Sequence, residues 1–143
     1  MNRINLITLG VKDMSKSLTF YRDGLGFQTS IKEDAPSIVF FNNAGTKLAL
    51  YPLEELTKDI NELEPPKLGG FSGMTLAYNA KSVEEVNEVM EKAEKAGGII
   101  EKTPQEVFWG GYSGYFSDLD GYYWEVAYSK DWRFDDQDML IIE

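Results

Sequence analysis

The constraint that most limits this chain is that it writes one order of elements twice. Residues 4–11 are β-branched and aliphatic and predict a strand. Asp13 predicts a cap for the helix that follows, in which Met14, Leu18 and Tyr21 share a face, and Gly24 ends it. Strands over 27–32, 37–41 and 47–51 complete the first set, the last two joined by the turn Asn42-Asn43-Ala44-Gly45. The second half begins with a strand over 74–78. Ser82 and Glu85 then form a capping box, Val86, Met90 and Ala93 an apolar stripe, and Gly97-Gly98 a helix stop. Strands over 99–102 and 114–116 follow, then the turn Asp118-Leu119-Asp120-Gly121 and a last strand over 122–128. Two β-α-β-β-β units in series predict an α+β fold of two modules, even though few residues are identical between the halves.

The punctuation divides the chain into module one (1–53), a linker (54–70), module two (71–128) and a C-terminal tail (129–143). The linker is acidic and carries Pro65-Pro66 and Gly69-Gly70, while Leu53, Leu56 and Ile60 have the spacing of a short helix. The tail is acidic but ends Met139-Leu140-Ile141-Ile142. Leaving that end in water is costly, so it is expected to dock on the body or on a partner subunit.

Composition excludes several functions. A net charge of −10 and the lack of a basic stripe exclude nucleic acid and anionic membrane surfaces as partners. The acidic balance suits a cationic ligand, and it equally suits plain solubility. There is no cysteine, so disulfides and thiolate chemistry are excluded. There is also no histidine, which removes the commonest general base and the commonest transition-metal ligand. The oxygen donors that are left favour Mg, Ca or Mn over Zn. The chain has neither a signal-peptide core nor an apolar run of the roughly 20 residues a bilayer requires, and a cytoplasmic location is expected.

Three segments together carry a family resemblance: residues 9–27, 82–98 and 115–126, the last with its Asp118-Leu119-Asp120-Gly121 turn before a strand bearing Glu125. They resemble the vicinal-oxygen-chelate superfamily of glyoxalases, bleomycin-resistance proteins and extradiol dioxygenases, over all but the tail. The resemblance implies two βαβββ modules whose sheets form a cupped, glyoxalase-like surface, and it implies a homodimer. Metal-dependent members place four ligands in the cup, from the first and last strands of each module. Carried onto this sequence, those positions fall at Leu6, at Ala49, at or beside Met74, and at Glu125. Only Glu125 keeps an oxygen ligand, so no metal and no other cofactor is expected, and metal-dependent glyoxalase I activity is not expected either. A register slip of one residue brings Asn5 or Thr75 inward instead.

Strand alternation then sorts the faces. Leu6, Thr8 and Gly10 line the cup with Lys47, Ala49 and Tyr51; in module two Met74, Leu76 and Tyr78 line it with Tyr123, Glu125 and Ala127. Ile7, Leu9, Val11, Leu48, Leu50, Trp124 and Val126 pack beneath the helices. Over residues 108–115 aromatic rings alternate with glycine, and Trp109 and Tyr112 are read as ligand contacts or as a cover for the sheet edge. The ligand-binding set is therefore Leu6, Lys47, Tyr51, Met74, Tyr78, Trp109, Tyr112 and Tyr123. Glu125 is the one catalytic candidate, raised in pKa by an apolar cup, but a polar pairing with Lys47 or a cationic ligand is the favoured role. These residues point to a metal-independent protein binding a small aromatic or cationic molecule. The alternatives are a glyoxalase-like lyase or isomerase using Glu125 with a tyrosine, and a dimeric interaction protein whose own side chains fill the cup.

Overall fold

The computed structural model describes residues 1–142; Glu143, the last residue of the tail, lies outside the described residues. The chain forms two compact units that divide between Gly73 and Met74. The class is the expected α+β.

In the first unit, β1 (Leu6–Val11) is followed by α1 (Met14–Leu18), which continues as a π-helical segment, Thr19–Gly24. Asp13 caps α1 by accepting from the Lys16 N–H at 3.0 Å. Strands β2 (Val39–Phe40) and β3 (Lys47–Pro52) then lead into α2 (Leu53–Ile60). The sheet order is β1-β3-β2, with β1 parallel and β2 antiparallel to β3. Leu9, Val11, Leu48 and Leu50 are buried with Leu18, Phe20 and Tyr21.

The strand expected over 27–32 does not form. The Phe40 carbonyl, which a ladder would pair with a backbone N–H, accepts the Thr29 hydroxyl instead at 2.9 Å. The segment is held by aromatic packing: the Phe27 ring lies 5.6 Å from Tyr21 and 5.4 Å from Phe41. Likewise the strand expected over 37–41 shrinks to Val39–Phe40. The front of the linker is α2, which packs on the sheet, since a Cβ on Gly10 would come within 2.7 Å of Leu53 Cδ1 and 3.1 Å of Leu56 Cδ2.

In the second unit, β4 (Thr75–Asn79) precedes α3 (Val83–Lys95), and β5 (Ile99–Glu106), β6 (Tyr112–Ser117) and β7 (Tyr123–Tyr128) follow. The order β4-β7-β6-β5 again pairs the first and last strands of the unit in parallel, so the repeat seen in the sequence is a repeat of topology. Val86, Met90 and Ala93 are buried, the stripe the spacing predicted. Ser82 Oγ accepts the Glu85 N–H at 3.0 Å, but the reciprocal half of the capping box is redirected. The Glu85 carboxylate accepts from the Lys81 N–H at 2.7 Å and the Tyr78 hydroxyl at 2.6 Å.

The tail docks on its own unit. Trp132 stacks on Trp109 and Lys81 pairs with Asp138, while Phe134 and Leu140 bridge within the tail. Ile142 nonetheless stays 81% exposed, so the docking seats the tryptophan and the turn more than the apolar end. No helix among the described residues is long and apolar enough to cross a membrane.

Candidate functional site

Each unit presents one sheet face opposite its core helix. In the first unit, Leu6 pairs with Lys47, Thr8 with Ala49 and Gly10 with Tyr51, so these six share a face as alternation predicted. Phe40, opposite Ala49 on β2, joins them and is 53% exposed. A depression of about 710 Å³ opens at the Leu6 end, lined by Asn5, Leu6, Gln28, Phe40, Asn42 and Lys47. The Lys47 ammonium donates to the Asn43 carbonyl, which turns its charge toward its own turn. Tyr51 sits at the other end, beside Gly10, where α2 packs.

In the second unit the register corrects the sequence reading. Thr75 pairs with Tyr123, Ala77 with Glu125 and Asn79 with Ala127. The residues sharing a face with Glu125 are therefore Thr75, Ala77 and Asn79. Leu76 and Tyr78 lie on the helix side, and Met74, one residue before β4, has their parity. A slip of one residue turns every side chain over. The two units agree on this point: Leu6 opposes Lys47 as Thr75 opposes Tyr123, so Thr75 and not Met74 is the equivalent of Leu6. Gly45 and Gly121, with φ of 69° and 83°, hold the matching turns before β3 and β7, and Ala49 and Glu125 each follow four residues later.

Tyr115 stands directly opposite Glu125 on β6. Burial first, and then the negative charge of Glu125 and hydrogen bonding to it, push the Tyr115 hydroxyl above its ordinary range. A phenol is protonated at neutral pH, so the face sets the Tyr115 O–H against a carboxylate. On the same face the Ser117 hydroxyl donates to Glu101 at 2.7 Å. The sequence reading missed Tyr115, although a signal for it existed. Asp118 Oδ1 accepts from the N–H groups of Asp120 and Tyr122 at 2.9 and 2.8 Å, fixing the hairpin turn. Counting outward from that turn pairs Ser117 with Tyr123 and Tyr115 with Glu125.

The remaining predicted residues have other settings. The Tyr78 hydroxyl bonds Glu85 on the helix side. The Tyr112 hydroxyl donates to Asn87 Oδ1 at 2.9 Å, which also places it on that side. Trp109 is 42% exposed and stacks on Trp132, a residue the sequence reading passed over.

The four positions that carry metal ligands in metal-dependent relatives are, after the register correction, Leu6, Ala49, Thr75 and Glu125. These four residues supply one carboxylate, one hydroxyl and two alkyl groups, a donor set that does not fit a divalent ion, which takes six or more oxygens or a compact N/S set. Among the described residues no group of three His, Cys, Asp or Glu is placed to hold a metal.

The model of the Glyoxalase/Bleomycin resistance protein/Dioxygenase superfamily matches residues 3–126. A glyoxalase-related enzyme from Fulvimarina pelagi superposes with a TM-score of 0.85 at 28% identity, over 99% of both chains. The uncharacterized protein YraH of Bacillus subtilis (strain 168) is 30% identical over 115 residues, 80% of this chain and 88% of that protein. Mouse mitochondrial methylmalonyl-CoA epimerase is 36% identical over 75 residues, 49% of this chain and 42% of the epimerase, so the likeness spans less than half of that enzyme.

Proposed function

The chain belongs to the Glyoxalase/Bleomycin resistance protein/Dioxygenase superfamily, and from that premise we propose that it binds a small aromatic or cationic molecule without a metal. The observation that carries the reading is the Glu125 carboxylate, held opposite Tyr115 and flanked by Tyr123. Tyr115 donates to the carboxylate and leaves an acceptor lone pair for a cationic donor, while the tyrosine rings offer π-faces. Support for metal independence comes from the donor chemistry of Leu6, Ala49 and Thr75, none of which supplies a charged ligand.

A second reading, a lyase or isomerase, is favoured by the Tyr115–Glu125 pairing and by the partial likeness to the epimerase. In it Glu125 takes a proton from a carbon acid and Tyr115 supplies one. The binding reading is preferred because a carboxylate beside two tyrosine rings suits a cationic aromatic molecule as it stands, with no proton transfer required.

Benzamidine, its neutral analogue benzamide, and Glu125→Gln form the test. Calorimetric titration is expected to show benzamidine binding at least about tenfold tighter than benzamide, the difference vanishing in Glu125→Gln. Equal binding of the two compounds, or binding indifferent to Glu125→Gln, overturns the reading. Elemental analysis of the purified protein showing a stoichiometric divalent ion overturns its metal-free part. Epimerisation of methylmalonyl-CoA or turnover of a hemithioacetal, lost in Glu125→Gln, favours the enzyme instead.

A further inference from the structure

The second unit holds another cavity, on the side of the sheet away from Glu125. The ladder aligns Glu106 with Tyr112 and Tyr112 with Tyr128, one row across β5, β6 and β7. Hydrogen bonding of Tyr112 to Asn87 on α3 fixes the side on which that row stands. The cavity, about 430 Å³, is bounded by this row, Val83 at the start of α3, the Gly110-Gly111 backbone and Lys130, a size that suits a compact organic molecule.

Its charges are placed by backbone. Glu106 ends β5, just before the tight turn in which Val107 N–H donates to the Gly111 carbonyl at 2.9 Å. Lys130 sits in the turn after β7, closed by the Trp132 N–H on the Ser129 carbonyl at 3.2 Å. Neither Glu106 nor Lys130 enters an ion pair among the described residues. The two turns are locked together, because Trp132 stacks on Trp109 at 5.7 Å and the Trp109 ring occupies the space a Cβ on Gly111 would need. The cavity thus has a fixed rim with an acid and a base on it and two tyrosine rings in its wall.

We infer that this cavity is a second small-molecule site that takes a zwitterionic aromatic amino acid. The ligand carboxylate is recognised by Lys130, its ammonium by Glu106, and its ring by Tyr112 and Tyr128. An unpaired acid and an unpaired base on one rim complement a zwitterion, and each charge-assisted hydrogen bond is strong enough to be read separately. The site makes no use of Glu125, so it stands or falls independently of the function proposed above.

The test uses three probes on the full chain: L-phenylalanine, phenylacetate without the ammonium, and phenethylamine without the carboxylate. Calorimetric titration is expected to give saturable millimolar binding of L-phenylalanine, with each half-probe weaker by about tenfold or more. Lys130→Met is expected to bring L-phenylalanine down to the affinity of phenethylamine, and Glu106→Gln down to that of phenylacetate. The titrations are run in the Glu125→Gln background, where the cationic site proposed above no longer contributes, and the same order of the three probes is expected there. Both rim residues are exposed, and matching thermal melts of the variants confirm that they fold. No binding of L-phenylalanine, equal binding of all three probes, or affinities untouched by Lys130→Met and Glu106→Gln overturns the proposal.

Discussion

The indole of Trp109 stacks on that of Trp132, with centroids 5.7 Å apart and planes inclined by 21°. Trp109 belongs to the loop between β5 and β6, and Trp132 to the tail beyond β7, so one ring contact ties the C-terminal segment to the sheet. Trp132→Ala is expected to cost about 1–2 kcal/mol, the sum of a stacked aromatic pair and the apolar area it covers. Urea unfolding gives the stability change. Limited proteolysis adds a readout specific to the tail, which is expected to become cleavable after residue 128. An unchanged midpoint together with an unchanged cleavage pattern removes the stack from the account.

Gly10 is where α2 meets its sheet. A methyl group there meets Leu53 Cδ1 at 2.7 Å and Leu56 Cδ2 at 3.1 Å, with the Leu53 Cα at 3.4 Å behind them. The leucine tips can turn aside but the backbone cannot follow freely, so Gly10→Ala is expected to destabilise by about 1–3 kcal/mol, the usual range for overpacking. Denaturant unfolding measures it. A neutral result shows that α2 rests loosely and that the segment is a linker after all.

Tyr78 gives stability an alkaline limit. Burial first, then its hydrogen bond to Glu85 and the negative charges of Glu85 and Asp138, push the hydroxyl up to about 12. In the unfolded chain the same group ionises near pH 10. The folded state therefore holds this proton more tightly, and the contribution is fully present below about pH 10 and lost as pH rises toward 12. The stability of the wild type is expected to fall more steeply over that window than that of Tyr78→Phe. Parallel slopes for the two proteins contradict the assignment.

Sequence alone determined the features that depend on a residue and its near neighbours. Asp13 and Ser82 start helices because a short oxygen side chain satisfies an N–H that the first turn leaves bare. Gly97, with φ of 107°, lies just beyond the end of α3 because only glycine takes that backbone without strain. The repeat of elements, and with it the family, was legible for the same reason. So was the face shared by Leu6, Lys47, Ala49 and Tyr51, whose alternation β1 and β3 preserve.

Tertiary structure decided what depends on a partner distant along the chain. Alternation within β4 cannot say which of its two faces joins Glu125; pairing with β7 decides it, and a shift of one residue moved Met74, Leu76 and Tyr78 off that face and put Thr75 and Ala77 on it. Residues 27–32 have the composition of a strand, but the Thr29 hydroxyl and the ring cluster of Tyr21, Phe27 and Phe41 offered them other partners. Trp132 looked like part of an acidic tail until Trp109 met it. A residue's own chemistry sets what it can do, and the strand or ring placed opposite it sets which of those things it does.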